Sequence, residues 1–225
     1  MSLGSPDDAG LYEIRRGKMV DRQIIPRGVR EPLVLEAMRE IPREIFVEEA
    51  LRGRAYADSA LPIGYGQTIS QPYIAARMTE LLAPMRSDIV LEVGGGTGYQ
   101  TALLARMVKR VLSLERIPEL AEAAARNLRW LGFDNVEIRV GDGSVGWADR
   151  GPFDGILVAA AAPSIPPSLL AQLRTGGRLV VPVGDARGQV LTCVTRSAAG
   201  YVERRDEPCA FVPLIGEEGW PEKAP

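Results

Sequence analysis

Val90-Leu91-Glu92-Val93-Gly94-Gly95-Gly96-Thr97-Gly98-Tyr99-Gln100-Thr101-Ala102 is a short apolar run that ends in a glycine-rich turn and passes into a helix-like stretch, expected over residues 100–108. Glycines at 94, 96 and 98 let the backbone pass close to a ligand, and the open amides of the following helix can receive polar or anionic groups. A turn with no ligand is the bland alternative, but three alternate glycines weaken a helix start for no evident packing gain. The spacing also excludes. A dinucleotide fingerprint needs glycine or alanine at its sixth position, to seat the helix on the strand around a pyrophosphate; counted from Gly94 that position is Tyr99, and from Gly95 it is Gln100. NAD and FAD are disfavoured, and the Gly-Lys-Ser/Thr phosphate loop is absent.

Outward from this turn, apolar runs at 89–93, 111–114, 136–140, 153–158 and 178–183 alternate with helical stretches, and each reads as a buried parallel strand. Between the second and third, Pro118 suits a first helical turn, Leu120, Ala124, Leu128 and Leu131 share a face, and Gly132 can cap the end. The alternation predicts an α/β fold with a doubly wound, Rossmann-like, mostly parallel sheet. Residues 190–196 and 201–214, joined by Ser197-Ala198-Ala199-Gly200, read as an antiparallel edge. Upstream, residues 11–83 form a helical extension punctuated by Pro26, Pro32, Pro42, Pro62 and Pro72, closing on a helix that stops before Pro84. Residues 1–10 carry no apolar period and are expected to be a disordered lead or a scar of expression, so the domain division is 1–10, 11–83 and 84–225.

The 225 residues are 46% hydrophobic and 25% charged, which suits one globular unit with one large core. Lys and Arg number 27 against 29 Asp and Glu, so the chain lacks the basic field that draws nucleic acid. Histidine is absent, which removes Ser-His-Asp and Cys-His nucleophilic sites and His-containing zinc sites. Cys193 and Cys209 are too few for a disulfide framework or a four-cysteine site, and two reduced thiols are expected. The first residues lack the basic and apolar regions of a signal peptide, and the longest apolar run, 156–163, is far short of a membrane span. A cytoplasmic monomer without metal is the expectation.

Two carboxylates complete a constellation. Glu115 ends the second core strand, where an acid beside the glycine turn can hold a ribose diol, although an acid at a strand end is more often a solvated charge. Asp142, between Gly141 and Gly143, ends the third and can reach the same crevice beside a flat ring. Three successive strand ends describe an adenosine site without a pyrophosphate.

With these residues in place, the chain from about Met19 to Leu214 resembles the protein-L-isoaspartate O-methyltransferases, a class I S-adenosylmethionine-dependent family. Residues 90–102 are similar to its first cofactor motif, Leu114-Glu115-Arg116-Ile117-Pro118-Glu119-Leu120 to its second-strand acid, and Gly176-Gly177-Arg178-Leu179-Val180-Val181-Pro182-Val183-Gly184 to its fifth-strand motif. The most specific likeness is Ala55-Tyr56-Ala57-Asp58-Ser59-Ala60-Leu61-Pro62-Ile63-Gly64-Tyr65-Gly66-Gln67-Thr68-Ile69-Ser70-Gln71-Pro72, where Ser70 matches the active-site serine. The resemblance implies that Ile69, Ser70, Gln71, Glu92, Gly94, Gly95, Gly96, Thr97, Gly98, Glu115, Arg116, Asp142 and Gly143 surround the cofactor. It further implies that Thr68, Ser70, Val212, Pro213 and Leu214 meet an isoaspartyl peptide. Ala159 and Ile215 depart from relatives that carry threonine there. Methyl transfer to a carboxylate ionised at neutral pH needs no general base, which suits a chain without histidine. Ser70 also fits a helix N-cap before Gln71-Pro72. A non-catalytic adenosine-binding protein and a carboxyl methyltransferase for aspartates of a dedicated peptide partner remain as alternatives.

Overall fold

The computed structural model describes residues 6–222 and opens with a helical cap. Helix α1 (Pro6–Met19) runs into a π-helical turn at Val20–Ile24 and a 3-10 turn at Ile25–Arg27. It takes in residues 6–10, for which no structure was expected; Pro6-Asp7-Asp8 is itself a helix-start sequence, with proline first and acids in the first turn. Residues 1–5 lie outside the described residues. Helix α2 (Pro32–Glu40) buries Val34, Ala37 and Met38, and 3-10 turns at Arg43–Phe46 and Glu49–Arg54 follow.

The cap then departs from the helical expectation. Strands β1 (Leu61–Gly64) and β2 (Gln67–Ile69) pair antiparallel around Tyr65-Gly66, whose φ angles of +54° and +69° are both positive, as a tight primed hairpin turn requires. The alternation of Leu61 and Ile63 ahead of a short glycine turn carried the signal. Helix α3 (Pro72–Leu82) follows and ends on Ala83 in the left-handed region before Pro84.

The core contains β3 (Ile89–Val93), α4 (Tyr99–Met107), β4 (Arg110–Glu115), α5 (Pro118–Trp130), β5 (Val136–Val140), β6 (Phe153–Val158), α6 (Pro167–Ala171), β7 (Leu173–Asp185), β8 (Gly188–Ser197) and β9 (Gly200–Cys209). Its sheet has the order β5-β4-β3-β6-β7-β8-β9, parallel from β5 through β7 and antiparallel at β8 and β9. The expected architecture is therefore present, with two local differences. Strand β5 is the sheet edge, half-buried to exposed rather than covered on both faces, and Val140 is 48% exposed. Strand β9 stops at Cys209, and beyond it the chain leaves the ladder to bridge Pro213 to Ala161.

Alternation along the strands splits the core between two faces. Val90, Val111, Leu157 and Val180 pack with the cap helices, α3, α4 and α5 on one side; Leu91, Leu112, Ile156 and Leu179 pack with Trp147, Leu169 and Leu214 on the other. Cys193 is buried and Cys209 half-buried, both as free thiols. Among the described residues no helix is long and apolar enough to cross a membrane.

Candidate active site

Strand order reverses between β3 and β6, and in such sheets the crevice outside the carboxyl ends of the strands at the reversal is where ligands bind. The loop of residues 94–98 lies there. Gly94, Gly96 and Gly98 have φ of +87°, +56° and +96°, which explains the alternate glycines. The amides of these glycines are spent on the fold itself: Gly94 and Gly95 donate to the Leu114 carbonyl (2.8 and 3.3 Å) and Gly98 to the Gly95 carbonyl (2.9 Å). The Thr97 amide and the first turn of α4 are left to receive polar groups, fewer donors than the glycine run alone suggests.

Glu115 lines the crevice while only 7% exposed. One carboxylate oxygen accepts from the Gly96 amide (2.8 Å) and the other from the Ile117 amide (2.9 Å), which fixes the group with acceptor positions to spare. Ile117, Val93, Gly143 and Leu214 add apolar walls, and Arg116 stands at the rim, 3.5 Å from Glu222.

Two acids of the expected set do not line this crevice. Glu92 is fully buried beneath the loop, where one oxygen accepts from Thr101 and Ser113 (2.6 Å each) and the other has no partner. Burial pushes its carboxyl up to about 7, against the pull of the two hydroxyls and with a smaller push from Glu115. Asp142 accepts from the Ser144 amide and hydroxyl (2.8 and 2.7 Å) and from the Glu217 amide (2.8 Å). Burial works to raise its carboxyl, but the Glu217 amide and Ser144 outweigh it and hold the group below the usual carboxylate range. It thereby ties down a strap of residues 215–222, further held by the Glu218 amide on Ser144 (3.0 Å) and the Trp220 indole on the Ala161 carbonyl (3.0 Å). Gly143 does line the crevice, as do Val212, Pro213, Leu214 and Ile215.

A second cavity adjoins the first and shares Ile63, Thr68, Gly94, Gly96 and Ala159 with it. Ile69, Ser70, Ala75, Gly95, Thr97, Tyr99 and Gln100 complete its walls. The hairpin β1–β2 thus forms one side of both cavities, and Ile63 and Gln67 on it were missed with the hairpin. Ser70 is not the cap of α3: Gln71 holds that position with no side-chain cap bond. The Gln71 amide group instead donates to Asp58 Oδ1 (2.7 Å), and Gln71, expected at the cofactor, lines neither cavity. The Ser70 hydroxyl therefore remains for a ligand.

Behind Ser70 lies Arg43, fully buried, with Nε on the Ala55 carbonyl and Nη2 on the Ser70 carbonyl (2.7 Å each) and its guanidinium 4.8 Å from the Tyr99 ring centre. Burial lowers its pKa, and the neighbouring Tyr99 works the other way. Nothing in the chain's pattern marked this arginine.

The protein-L-isoaspartate(D-aspartate) O-methyltransferase family model matches residues 15–219. The chain belongs to that family. Relatives named protein-L-isoaspartate O-methyltransferase include one from Syntrophus aciditrophicus, 54% identical over 212 residues with 93% of this chain and 97% of the relative covered. Another, from Trichlorobacter lovleyi, is 51% identical over 210 residues with the same coverage. A Plasmodium falciparum protein given the same name and solved in complex with S-adenosyl-L-homocysteine superposes with a TM-score of 0.75 at 26% identity, covering 91% of this chain and 98% of that one. The resemblance read from the sequence is borne out, and with it the enzyme class, an S-adenosylmethionine-dependent protein carboxyl methyltransferase.

Proposed function

We propose that this chain methylates the α-carboxylate of L-isoaspartyl residues in damaged proteins, with Ser70 orienting the acceptor. The observation that carries the reading is that Ser70 and Glu115 face two cavities sharing Gly94, Gly96 and Ala159. The first cavity suits adenosine. It offers a fixed carboxylate for two vicinal hydroxyls and apolar walls for a flat base, and its one basic group, Arg116, is already paired with Glu222. A side chain at residue 96 would press on Ile63, since a Cβ there lies 3.1 Å from Ile63 Cδ1, so glycine keeps the passage between the cavities open. Glu115 would hold the ribose, Ile117 and Gly143 the base, and Thr97 with the first turn of α4 the amino-acid end.

When bound, S-adenosylmethionine supplies a sulfonium methyl group. A carboxylate oxygen gains this methyl, the carbon–sulfur bond breaks with its electron pair going to sulfur, and no proton moves. Ser70 donates one hydrogen bond that aims the carboxylate without neutralising it. Orientation and exclusion of water are then the chain's main contributions, and such effects reach about 7–11 kcal/mol. On the acceptor side, the Phe211 amide and carbonyl are taken by Gln189, the Val212 carbonyl by the Ala161 amide and the Leu214 amide by the Ala161 carbonyl. Among the described residues the Val212 amide and the Pro213 carbonyl have no such partner, so they are available to a substrate backbone alongside Thr68. We further propose a monomer as the working unit, placed in the cytoplasm without a nucleic-acid partner.

Matched isoaspartyl and aspartyl peptides incubated with methyl-labelled S-adenosylmethionine test the reading. Label should enter the isoaspartyl peptide and leave as methanol at raised pH, because the ester is placed for attack by the next amide nitrogen and closure of a succinimide. Ordinary aspartate puts its carboxyl about one methylene away, and a misplacement near 1 Å costs roughly a hundredfold. Equal methylation of the two peptides, preference for aspartate, or label that survives alkali would sink it.

A further inference from the structure

We infer that Arg43 is a positioning residue of the methyl transfer, holding Ser70 in register with the cofactor loop. The inference rests on the role of Ser70 proposed above. Arg43 sits in the short 3-10 turn Arg43–Phe46, and that turn touches both halves of the site. Towards the cofactor loop, the Thr97 hydroxyl donates to the Phe46 carbonyl (2.7 Å), and the Phe46 ring meets the Tyr99 ring edge-on with centres 5.4 Å apart. Towards the acceptor, the Arg43 guanidinium reaches the Ser70 carbonyl while lying against Tyr99. Residues 70 and 97 come from separate segments of the chain, and this one turn links them.

The chemistry of the link is unusual for a scaffold. Arg43 is 0% exposed, one of its terminal nitrogens has no partner, and among the described residues no ion pair to it is found; the neighbouring Glu44 carboxylate is taken by the Tyr56 hydroxyl, with Arg16 at 4.0 Å. A buried cation without a counter-charge is costly, and an apolar side chain of similar volume fills space more cheaply. What an apolar residue lacks is a rigid fork of donors that fixes two carbonyls at once. The carbonyls so fixed are those of Ala55 and Ser70, which bracket the hairpin β1–β2. Holding the Ser70 carbonyl fixes its Cα and confines the hydroxyl to an arc facing the second cavity.

The test is a double-mutant cycle of Arg43→Lys and Ser70→Ala, with turnover expressed per S-adenosylhomocysteine-binding site so that loss of folded protein cancels. Lysine keeps the charge but not the planar fork. Arg43→Lys should lower kcat by about 10- to 100-fold, the scale of a small misplacement, with cofactor affinity and the KM for an isoaspartyl peptide nearly unchanged. The double variant should be little worse than Ser70→Ala alone, because one residue acts through the other. Multiplicative losses, or lowered stability with normal turnover per site, would overturn the inference and leave Arg43 structural. If Arg43→Lys and a second variant, Arg43→Gln, both lose cofactor binding as well, the residue supports the whole site and the assignment also falls. Normal turnover in Ser70→Ala would instead remove the Ser70 reading itself, a distinct failure that takes the role of Arg43 with it.

Discussion

The two cavities meet at Gly94, Gly96 and Ala159, yet they are built in different ways. The cofactor side is assembled from the ends of consecutive strands, and its contacts are short in sequence: Glu115 binds the amides of Gly96 and Ile117, and the loop amides fold back on Leu114 and Gly95. The acceptor side is assembled from distant pieces, with Arg43 reaching Ser70, Thr97 reaching Phe46, and residues 211–214 returning from beyond β9 to bridge Ala161. The first is a property of one βαβ unit; the second exists only after the cap has docked. Substitutions on the cofactor side should therefore move affinity and stability, whereas those on the acceptor side, as in the Arg43 and Ser70 cycle, should move turnover.

The largest effect expected on the cofactor side is at Glu92. Its carboxyl ionises near 4.5 when unfolded and near 7 in the fold, so the native state holds the proton more tightly. The stabilisation from that proton is fully present below pH 4.5 and is lost as pH rises through 7, roughly 2–4 kcal/mol in all. Glu92→Gln, which mimics the protonated acid and can still accept from Thr101 and Ser113, should remove this loss. Denaturant unfolding should find the variant more stable than wild type at pH 8 and nearly equal at pH 4.5; parallel curves at both pH values would show that Glu92 stays ionised in the fold. Turnover per cofactor site should not change, because the group lies beneath the loop and lines neither cavity.

The same division explains what could be read from the sequence. The parallel strands, α5 and the glycine loop follow from patterns a few residues long, and Glu115 was found because its place is fixed by strand length and the turn beside it. Glu92 and Asp142 were expected at the cofactor from their position in the motif, but whether such a side chain faces the crevice depends on what else claims it. Ser113 and Thr101 claim one, and the Glu217 amide claims the other. Arg43 carries no local signal, since its partners are 12 and 27 residues away. The hairpin β1–β2 had a legible turn, masked by the prolines that punctuate the cap.

A middle-sized effect is expected at Glu115. Glu115→Ala removes the acceptor proposed for the ribose hydroxyls and leaves the Gly96 and Ile117 amides without a partner, so cofactor affinity should fall by about 1–3 kcal/mol. Calorimetry with S-adenosylhomocysteine reads this directly. Turnover at saturating cofactor should change less than affinity; a variant with normal affinity and poor turnover would erase the distinction between the two sides.

The smallest effect sharpens the boundary between them. Asp142 was expected to meet the adenine; it lines neither cavity and accepts from Ser144 and the Glu217 amide, and a Cβ on Gly216 would come within 2.0 Å of Asp142 Oδ1. It is thus an anchor for the strap of residues 215–222, of which Ile215 lines the cofactor crevice and Glu222 pairs with Arg116 at its rim. Asp142→Asn keeps the size and one acceptor oxygen but weakens charge-assisted bonds, at a cost of about 1 kcal/mol. The loss should be local, so amide exchange at Glu217 and Glu218 should quicken while the strands of the core keep their protection. Because the folded carboxyl lies below its usual range, its stabilisation is present above the unfolded pKa near 3.8 and disappears as pH falls through the lower folded value; the wild-type protection factors of these two amides should therefore fall on acidification and those of the variant should stay constant. Cofactor affinity should drop only by the small amount that a looser strap allows. A large drop with unchanged exchange would mean that Asp142 leaves the strap to meet the base, and the anchor role would be wrong.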